Sequence, residues 1–279
     1  MDRSALPPPE ISPHRSALPV ALSVPHSGRI YADWLLALAT GDQSVLESLS
    51  DPLVDRLVWR AIAAGHGAVV ARTPRAALDC NRSPDDIDPS VVTGPFRAQP
   101  TSRAKAGLGV VPDRTARHGK LWHQMLSRID LERRIEEAHG PYHRAIEKAL
   151  DRIAIRHGQA LLLDCHSMPQ RRGQAELVIG DRHGLSAAPW ISSEAARIAR
   201  SQGWVVAVNQ PYAGGFIVER HGQPENGRHA LQLEICRSCY LDADGLAPGA
   251  GFDRAARLIE TMANDLGAAM LPDHAIAAE

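Results

Sequence analysis

Short apolar runs alternate with amphipathic stretches along most of the chain. Such alternation is typical of strands and helices interleaved around one sheet, so we predict an α/β fold with a single mixed, mostly parallel sheet flanked by helices. Strands are predicted near residues 18–24, 67–72, 77–80, 160–165, 176–179, 204–208 and 229–236. Helices are predicted over residues 31–38, 52–64, 119–138, 141–156, 191–201 and 252–270, and Gly140-Pro141 is expected to divide the central helical segment into two.

The N-terminus and one internal segment depart from this pattern. The first 16 residues are rich in proline and predict an irregular arm, which leaves residues 17–279 as a single α/β domain. A chain of 279 residues exceeds the roughly 100–200 of a typical domain, but α/β folds reach this size around one sheet. Residues 83–112 contain five prolines and little periodicity, which is typical of a lid or binding loop and equally of a surface excursion.

Composition and charge narrow the class of partner. Hydrophobic residues make up 44% of the chain and charged residues 23%, as in an ordinary globular protein. The formal net charge of -1 predicts neither a nucleic acid nor a membrane as partner, so a small molecule is expected. No apolar run reaches the roughly 20 residues of a membrane span, and the N-terminus lacks the apolar stretch of a signal peptide, so we expect a cytoplasmic protein.

Four cysteines, Cys80, Cys165, Cys236 and Cys239, are too few for a disulfide scaffold and are expected to remain thiols. The spacing of Cys236 and Cys239 resembles that of a zinc knuckle or a redox motif. However, the chain has no second pair of this kind, no helix is predicted directly after the pair, and Cys236 lies inside an apolar strand. We therefore interpret these cysteines as small buried hydrophobic residues.

Ionisable residues lie at or near the carboxyl ends of several predicted strands, where ligand sites of open α/β sheets form. His26 follows one strand and His166 ends another, so the two imidazoles are candidate ligands of one zinc ion. A carboxylate as third ligand would leave the fourth tetrahedral position open, which is the pattern of a catalytic site. Asp51, before Pro52 at a helix start, and Asp55, one turn further on, are the candidates, and we favour Asp51.

Glu234 is the candidate general base. Strand alternation places it on the face opposite Leu233 and Ile235, inside an apolar strand where an acid is costly without a partner or a function. Beside activated water it would accept a proton and deliver it to the leaving nitrogen. The alternative is a buried salt bridge with Arg82 or Arg237.

Three further features predict substrate contacts. Arg82 offers a planar fork for a substrate carboxylate, and Asn81 can add a hydrogen bond. Gly214 and Gly215 follow a strand and a turn, as expected of backbone that passes close to a ligand. Arg220 could hold a second carboxylate or could belong to a loop tip.

Other catalytic motifs are missing from the sequence. His139 and His143 have i, i+4 spacing, but Gly140-Pro141 lies between them and there is no HExxH motif. The chain also has no P-loop, no GxGxxG after a strand and no GxSxG nucleophile elbow. Nucleotide chemistry and serine hydrolysis are therefore disfavoured.

Five ordered motifs carry a family resemblance. They are VPHSG, DCNRSP, LLLDCHSMP, YAGGF and LQLEICRSCYLD, and in this order they resemble the N-formylglutamate amidohydrolase family over about residues 18–270. The resemblance implies a zinc carboxypeptidase-like fold with one Zn²⁺ per chain, held by His26, His166 and either Asp51 or Asp55. It also implies that Glu234 is the general base and that Asn81 and Arg82 hold the substrate carboxylate.

The reaction implied by this resemblance is hydrolysis of N-formyl-L-glutamate to formate and L-glutamate, a step of histidine degradation. Cys80 and Cys236 depart from the family pattern. These departures affect the pocket for the substrate side chain and leave the zinc chemistry intact. The alternatives are a related zinc hydrolase for another N-acyl amino acid or short peptide, and a catalytically silent binding protein for an acidic metabolite. Histidine and carboxylate ligands also suit other divalent metals.

Overall fold

A seven-stranded sheet dominates the computed structural model, which describes residues 5–94, 99–115, 117–170, 173 and 175–271. Its strands are β1 (Glu10–Ser12), β2 (Val20–Val24), β3 (Gly67–Val70), β6 (Ala160–Met168), β7 (Leu177–Gly180), β8 (Val206–Val208) and β9 (Arg228–Cys236). They lie in the order β1-β3-β2-β6-β9-β7-β8. β2, β6 and β9 pair in parallel, as do β7 and β8, whereas β7 is antiparallel to β9. The predicted mixed, mostly parallel sheet is confirmed.

Helices connect these strands. They are α1 (Asp33–Leu38), α2 (Gln43–Glu47), α3 (Val54–Leu57), α4 (Trp59–Ala63), α5 (Ser102–Lys105), α6 (Arg128–Arg134), α7 (Gly140–His157), α8 (Pro189–Ser201), α9 (Phe216–His221) and α10 (Phe252–Ala269). A π-helical turn spans Ile135–His139, and 3-10 turns span Pro224–Asn226 and Arg237–Cys239. A small hairpin joins β4 (Arg114–Thr115) to β5 (Gly119–Lys120). Within the described part of the chain, no helix is long and apolar enough to cross a membrane.

Two compact units are distinguished by their internal contacts. Unit 1 contains Met1–Glu10, Pro25–Ser50 and Val70–Ala145, and unit 2 contains Ile11–Val24, Asp51–Val69 and Ile146–Glu279. Unit 1 has an apolar core that includes Leu35, Leu121 and Trp122. In unit 2, α10 packs against α4, α8 and β2. Each unit combines three separate segments of the chain. This division does not test the single domain predicted for residues 17–279, which stays a prediction.

The strand predicted at residues 77–80 is wrong. This segment forms turns, in which the Ala77 N–H donates to Pro74 O at 2.9 Å. Ala77 and Leu78 are nevertheless buried in the apolar core of unit 1. A short apolar run shows only that a segment is buried, so periodicity cannot separate a strand from a buried turn.

The helix predicted over residues 119–138 is wrong in its first part. Residues 119–120 form β5, and the helix begins only at Arg128, where the Ser127 hydroxyl caps it by accepting from the Asp130 N–H at 3.1 Å. The expected break at Gly140-Pro141 is also wrong. The π-helical turn precedes Pro141, and the Gly140 N–H bonds to Ile135 O, so α6 continues into α7 through one widened turn.

Two regions predicted to be irregular contain regular structure. The N-terminal arm contributes β1, an edge strand of the sheet. The segment 83–112 contains the short helix α5, capped by the Thr101 hydroxyl, and residues 95–98 of this segment lie outside the described residues. The helix predicted at 52–64 is present as two short helices, α3 and α4.

Candidate active site

One face of the central sheet carries buried polar residues in register. Asp164 on β6 is the Cα partner of Gln232 on β9, and His166 is the partner of Glu234. Ser23 on β2 pairs with Asp164 from the other side. All five are buried. Because partners on neighbouring strands share a face, the parallel register itself brings these side chains together.

His166 is held between two carboxylates. Its Nε2 lies 2.8 Å from Asp164 Oδ2, and Asp164 Oδ1 accepts from the Ser23 hydroxyl at 2.7 Å. Its Nδ1 lies 3.2 Å from Asp51 Oδ2. Burial alone lowers the pKa of His166, but the charge and hydrogen bond of Asp164 and the hydrogen bond of Asp51 outweigh it, so the pKa lies well above its ordinary value. The surroundings thus favour positive charge here, which either a proton or a metal ion supplies.

His26 is oriented in the same way by another carboxylate. It follows β2, and its Nε2 lies 2.7 Å from Asp79 Oδ1, which also accepts from the Asn81 N–H at 2.8 Å. Arg75 Nε donates to Asp79 Oδ2 at 2.9 Å. Burial raises the pKa of Asp79, but the charges of Arg75 and His26 outweigh burial and hold that pKa well below its usual range. Asp79 is therefore an ionised acceptor for the His26 ring.

The backbone after His26 must pass very close to its neighbour. A Cβ added at Gly28 would overlap the carbonyl of Thr73. Only glycine fits this approach without a backbone shift. The close approach to Thr73 therefore explains the glycine at position 28, two residues after His26.

His26, Asp51 and His166 form a buried group that could bind a metal ion. Each offers one ligand atom, and these atoms lie within 4.8 Å of one another. A carboxylate faces Nε2 of both histidines, which leaves Nδ1 of each ring as the nitrogen for a metal. Two imidazoles and one carboxylate are a typical donor set of catalytic zinc sites, so the residues fit such an ion.

Asp51 has two further contacts that fix its carboxylate. Its Oδ1 accepts from the Ser167 hydroxyl at 3.1 Å and lies 3.4 Å from Arg237 Nη2. Asp55 lies in α3 and is not part of the His-Asp-His group. Of the two predicted carboxylates, the structure therefore brings Asp51 together with the histidines.

Glu234 is 9% exposed and is held by its own strand neighbour. Gln232 Nε2 donates to Glu234 Oε1 at 2.8 Å, and Gln232 Oε1 accepts from the Gly215 N–H at 2.9 Å. The amide of Gln232 thus has one defined orientation, and it links the Gly214-Gly215 segment to the carboxylate. Gly214 has φ +124, a conformation that side chains rarely adopt.

Asn81 and Arg82 lie in the turn that follows Asp79. Arg82 Nε donates to Leu108 O at 3.0 Å and lies 4.0 Å from Asp79 Oδ2. The Arg82 side chain is 13% exposed, and burial lowers the pKa of its guanidinium. Arg220, by contrast, is exposed on α9.

Sequence reasoning gave no function to three residues that orient the candidate site: Asp79, Asp164 and Gln232. A signal for two of them was present. Asp164 precedes His166 by two residues, and Gln232 precedes Glu234 by two, so each shares a strand face with the residue it contacts. Asp79 lies far from His26 in sequence, and no local pattern connects them.

This chain is similar in sequence to one protein family and to two named relatives. The model of the family described as N-formylglutamate amidohydrolase matches residues 18–241. The chain is 29% identical over 245 residues to an N-formylglutamate deformylase of Pseudomonas putida, with 83% of this chain and 85% of that protein covered. A second N-formylglutamate deformylase, from Pseudomonas aeruginosa, is 27% identical over 237 residues, with 82% of this chain and 84% of that protein covered.

Solved structures show the same relationship. The crystal structure of N-formylglutamate amidohydrolase from Ralstonia eutropha JMP134 superposes with a TM-score of 0.86 at 28% identity, covering 94% of this chain and 98% of that one. A gene product of Agrobacterium tumefaciens shares the fold, with a TM-score of 0.70 at 16% identity and 96% of each chain covered.

Proposed function

The chain belongs to the N-formylglutamate amidohydrolase family, and from this premise we propose that it hydrolyses N-formyl-L-glutamate to formate and L-glutamate. The observation that carries the proposal is the buried His26, Asp51 and His166 group, whose ligand atoms lie within 4.8 Å of one another. Two relatives named N-formylglutamate deformylase support the choice of substrate.

The metal of the proposed enzyme is zinc, held by His26 Nδ1, His166 Nδ1 and the carboxylate of Asp51. Both rings have Nε2 against a carboxylate, at 2.7 Å for His26 and 2.8 Å for His166, which is the usual arrangement behind metal-binding histidines. When bound, such an ion supplies Lewis acidity, which polarises the formyl carbonyl and makes water a better nucleophile.

Glu234 is the general base and then the general acid of the proposed reaction. It takes a proton from the water that attacks the formyl carbon and delivers it to the glutamate nitrogen as the C–N bond breaks. Gln232 donates to Oε1 at 2.8 Å, which fixes the carboxylate plane. His166, its partner across β6 and β9, places the base beside a metal ligand.

Substrate recognition is assigned to the turn after Asp79 and to the glycine segment. Arg82 is 13% exposed and presents a planar guanidinium, so it suits capture of a substrate carboxylate, and Asn81 adds a hydrogen-bonding amide. Gly214 and Gly215 let backbone approach the substrate, and Gly215 also bonds to Gln232. Arg220, exposed on α9, is the candidate for the second carboxylate of a diacid.

Metal content and formate release, measured on one preparation, test this function. We expect about one zinc per chain and release of formate from N-formyl-L-glutamate that a chelator abolishes and added zinc restores. Assays with N-acetyl-L-glutamate and with N-formyl-L-leucine test separately the specificity for the acyl group and the specificity for the amino-acid side chain. Release from N-formyl-L-leucine alone would indicate another N-formyl amino acid as substrate. A metal-free protein that stays inactive after zinc is added would contradict the proposal.

A further inference from the structure

Three side chains of one helical segment bond to the backbone of the turn over residues 77–82. Arg134 Nη1 donates to Ala77 O, His143 Nε2 lies against Cys80 O and His139 Nε2 lies against Arg82 O, each at 2.9 Å. A carbonyl oxygen only accepts hydrogen bonds, so both histidines carry the proton on Nε2. Every second or third carbonyl of the turn thus receives a side-chain donor.

These donors are not ordinary surface contacts. Arg134, His139 and His143 are 0%, 4% and 2% exposed. The imidazole rings of His139 and His143 pack against each other in a tilted arrangement, with centroids 4.3 Å apart and an interplanar angle of 45°. A buried carbonyl without a partner is costly, so the turn depends on donors of this kind where no strand ladder supplies them.

The π-helical turn explains how one helix presents all three donors. In an α-helix, residues five apart such as Arg134 and His139 would point about 140° away from each other. The widened turn over Ile135–His139, closed by the Gly140 N–H to Ile135 O, takes up one extra residue. Arg134 and His139 then behave like residues four apart, about 40° from each other, and His143 continues that row.

The turn they hold contains residues of the candidate site. Asp79 accepts from the Asn81 N–H at 2.8 Å and faces His26 Nε2 at 2.7 Å, and the Arg82 N–H donates to Asp79 O at 3.2 Å. Movement of the carbonyls of Cys80 and Arg82 would therefore move both the amide of Asn81 and the guanidinium of Arg82.

We propose that His139 and His143 are positioning residues, which hold the Cys80–Arg82 backbone in the geometry that binds the substrate carboxylate. These two histidines together with Arg134 form a backbone clamp. The assignment of substrate binding to this turn rests on the proposed function. The hydrogen bonds between the clamp and the turn do not rest on the proposed function, so the clamp and the proposed function can fail separately.

Paired amide substitutions test the clamp. In His139→Gln and His143→Gln the new amide nitrogen takes the place of imidazole Nε2 and keeps the donor. In His139→Asn and His143→Asn the shorter amide takes the place of Nδ1 and loses the donor. The exposed His123→Asn is the matched control for a histidine in the same unit.

Two readouts are needed, one of them independent of catalysis. In the Asn variants we expect hydrogen exchange of the Asn81 and Arg82 amides to become roughly 10-fold faster, as for loss of one buried hydrogen bond. We also expect KM for N-formyl-L-glutamate to rise roughly 10-fold while kcat changes less than about 3-fold, since the lost order affects binding. The Gln variants and His123→Asn should match the parent protein in both readouts.

Each other outcome overturns the clamp. Unchanged exchange at residues 81–82 in the Asn variants would do so, as would equal behaviour of Asn and Gln variants or a fall in kcat alone. If the Asn variants do not fold, the Gln variants decide the matter, because they keep the donor. Gln variants that do not fold, or whose exchange at residues 81–82 is faster than in the parent protein, also contradict the proposal. If the parent protein releases no formate, the proposed function has failed, and exchange alone decides the clamp.

Discussion

At the scale of single residues, the candidate site depends on groups that orient its ligands. Asp79 faces His26 and Asp164 faces His166, in both cases at Nε2. A carboxylate in this position fixes the ring orientation and raises the basicity of the other nitrogen. Both aspartates are almost fully buried, so solvent screens these contacts little.

Removing the charge behind a histidine should weaken metal binding. We expect Asp164→Asn and Asp79→Asn each to lower zinc affinity by roughly 10–100-fold, because the ring loses its charged acceptor. Competition with a chromophoric chelator measures this affinity, and the exposed Asp244→Asn is the control. Unchanged affinity in both variants would contradict the binding of zinc through Nδ1 of the two histidines.

Glu234 carries the prediction that separates chemistry from folding. We expect Glu234→Gln to keep its zinc and its melting temperature but to lose turnover by roughly 10²–10⁴-fold, since an amide cannot accept the proton from water. The amide can still pair with Gln232, so the packing of β9 should persist. Rates of formate release with zinc content measured on the same samples provide the check, and full activity in this variant would remove the assigned role.

Much of the residue-level chemistry was predictable because strand alternation is local. Glu234 was recognised as an acid inside an apolar strand, and the histidines by their predicted positions at strand ends, although β6 extends past His166 to Met168. The contact between His26 and Asp79 was not predictable, because it joins residues 53 positions apart in the chain. Asp51 and Asp55 differ in their position relative to the histidines, which only the fold determines.

At the scale of elements, the register of β6 on β9 brings the polar residues together. Nine consecutive pairs, from Ala160 with Arg228 to Met168 with Cys236, keep Asp164 beside Gln232 and His166 beside Glu234. A slip by one residue would turn each of these side chains to the opposite face. Long buried strands such as β6 and β9 were predictable, because strands covered on both faces of a parallel sheet have nearly continuous apolar runs.

The elements that sequence reasoning missed lie where tertiary contacts override local pattern. Residues 77–80 are mostly apolar but form a buried turn, and the carbonyls of Ala77, Cys80 and the following Arg82 bond to side chains of a helical segment distant in sequence. Gly140-Pro141 is a typical helix break, yet the π-helical turn before it accommodates proline without ending the helix. Neither the side-chain donors to the turn nor the π-helical turn can be predicted from the local residues alone.

At the scale of the whole molecule, several histidines outside the candidate site that are buried or half-buried have depressed pKa values. Burial lowers the pKa of His14 and of His229, and for His14 the charges of His66 and His157 add to it. Both rings also accept a backbone N–H at Nδ1, from Gly67 at 3.2 Å and from Ala188 at 3.4 Å. A proton on Nδ1 would oppose those bonds, so geometry and burial act in the same direction.

Stability should therefore fall as the pH drops below the unfolded pKa of a histidine, about 6.5. Between that value and the lower folded pKa, the unfolded chain binds more protons at these positions, and acidification favours it. His166 acts with the opposite sign, because its folded pKa is raised, so the total pH dependence mixes both effects. Comparison of the parent protein with variants isolates the contribution of His14 and His229.

The double variant His14→Asn, His229→Asn keeps an acceptor near the Nδ1 position but does not titrate in this range. We expect its free energy of unfolding to fall less between pH 7 and pH 5 than that of the parent, with little difference between the two at pH 7. Urea titrations of the chelated proteins at both pH values measure this, with His123→Asn as control because that side chain is exposed. An equal loss of stability in the parent and the double variant would show that neither histidine contributes to acid sensitivity, and the loss would then come from another group that titrates in this range, such as His157, whose pKa burial also lowers.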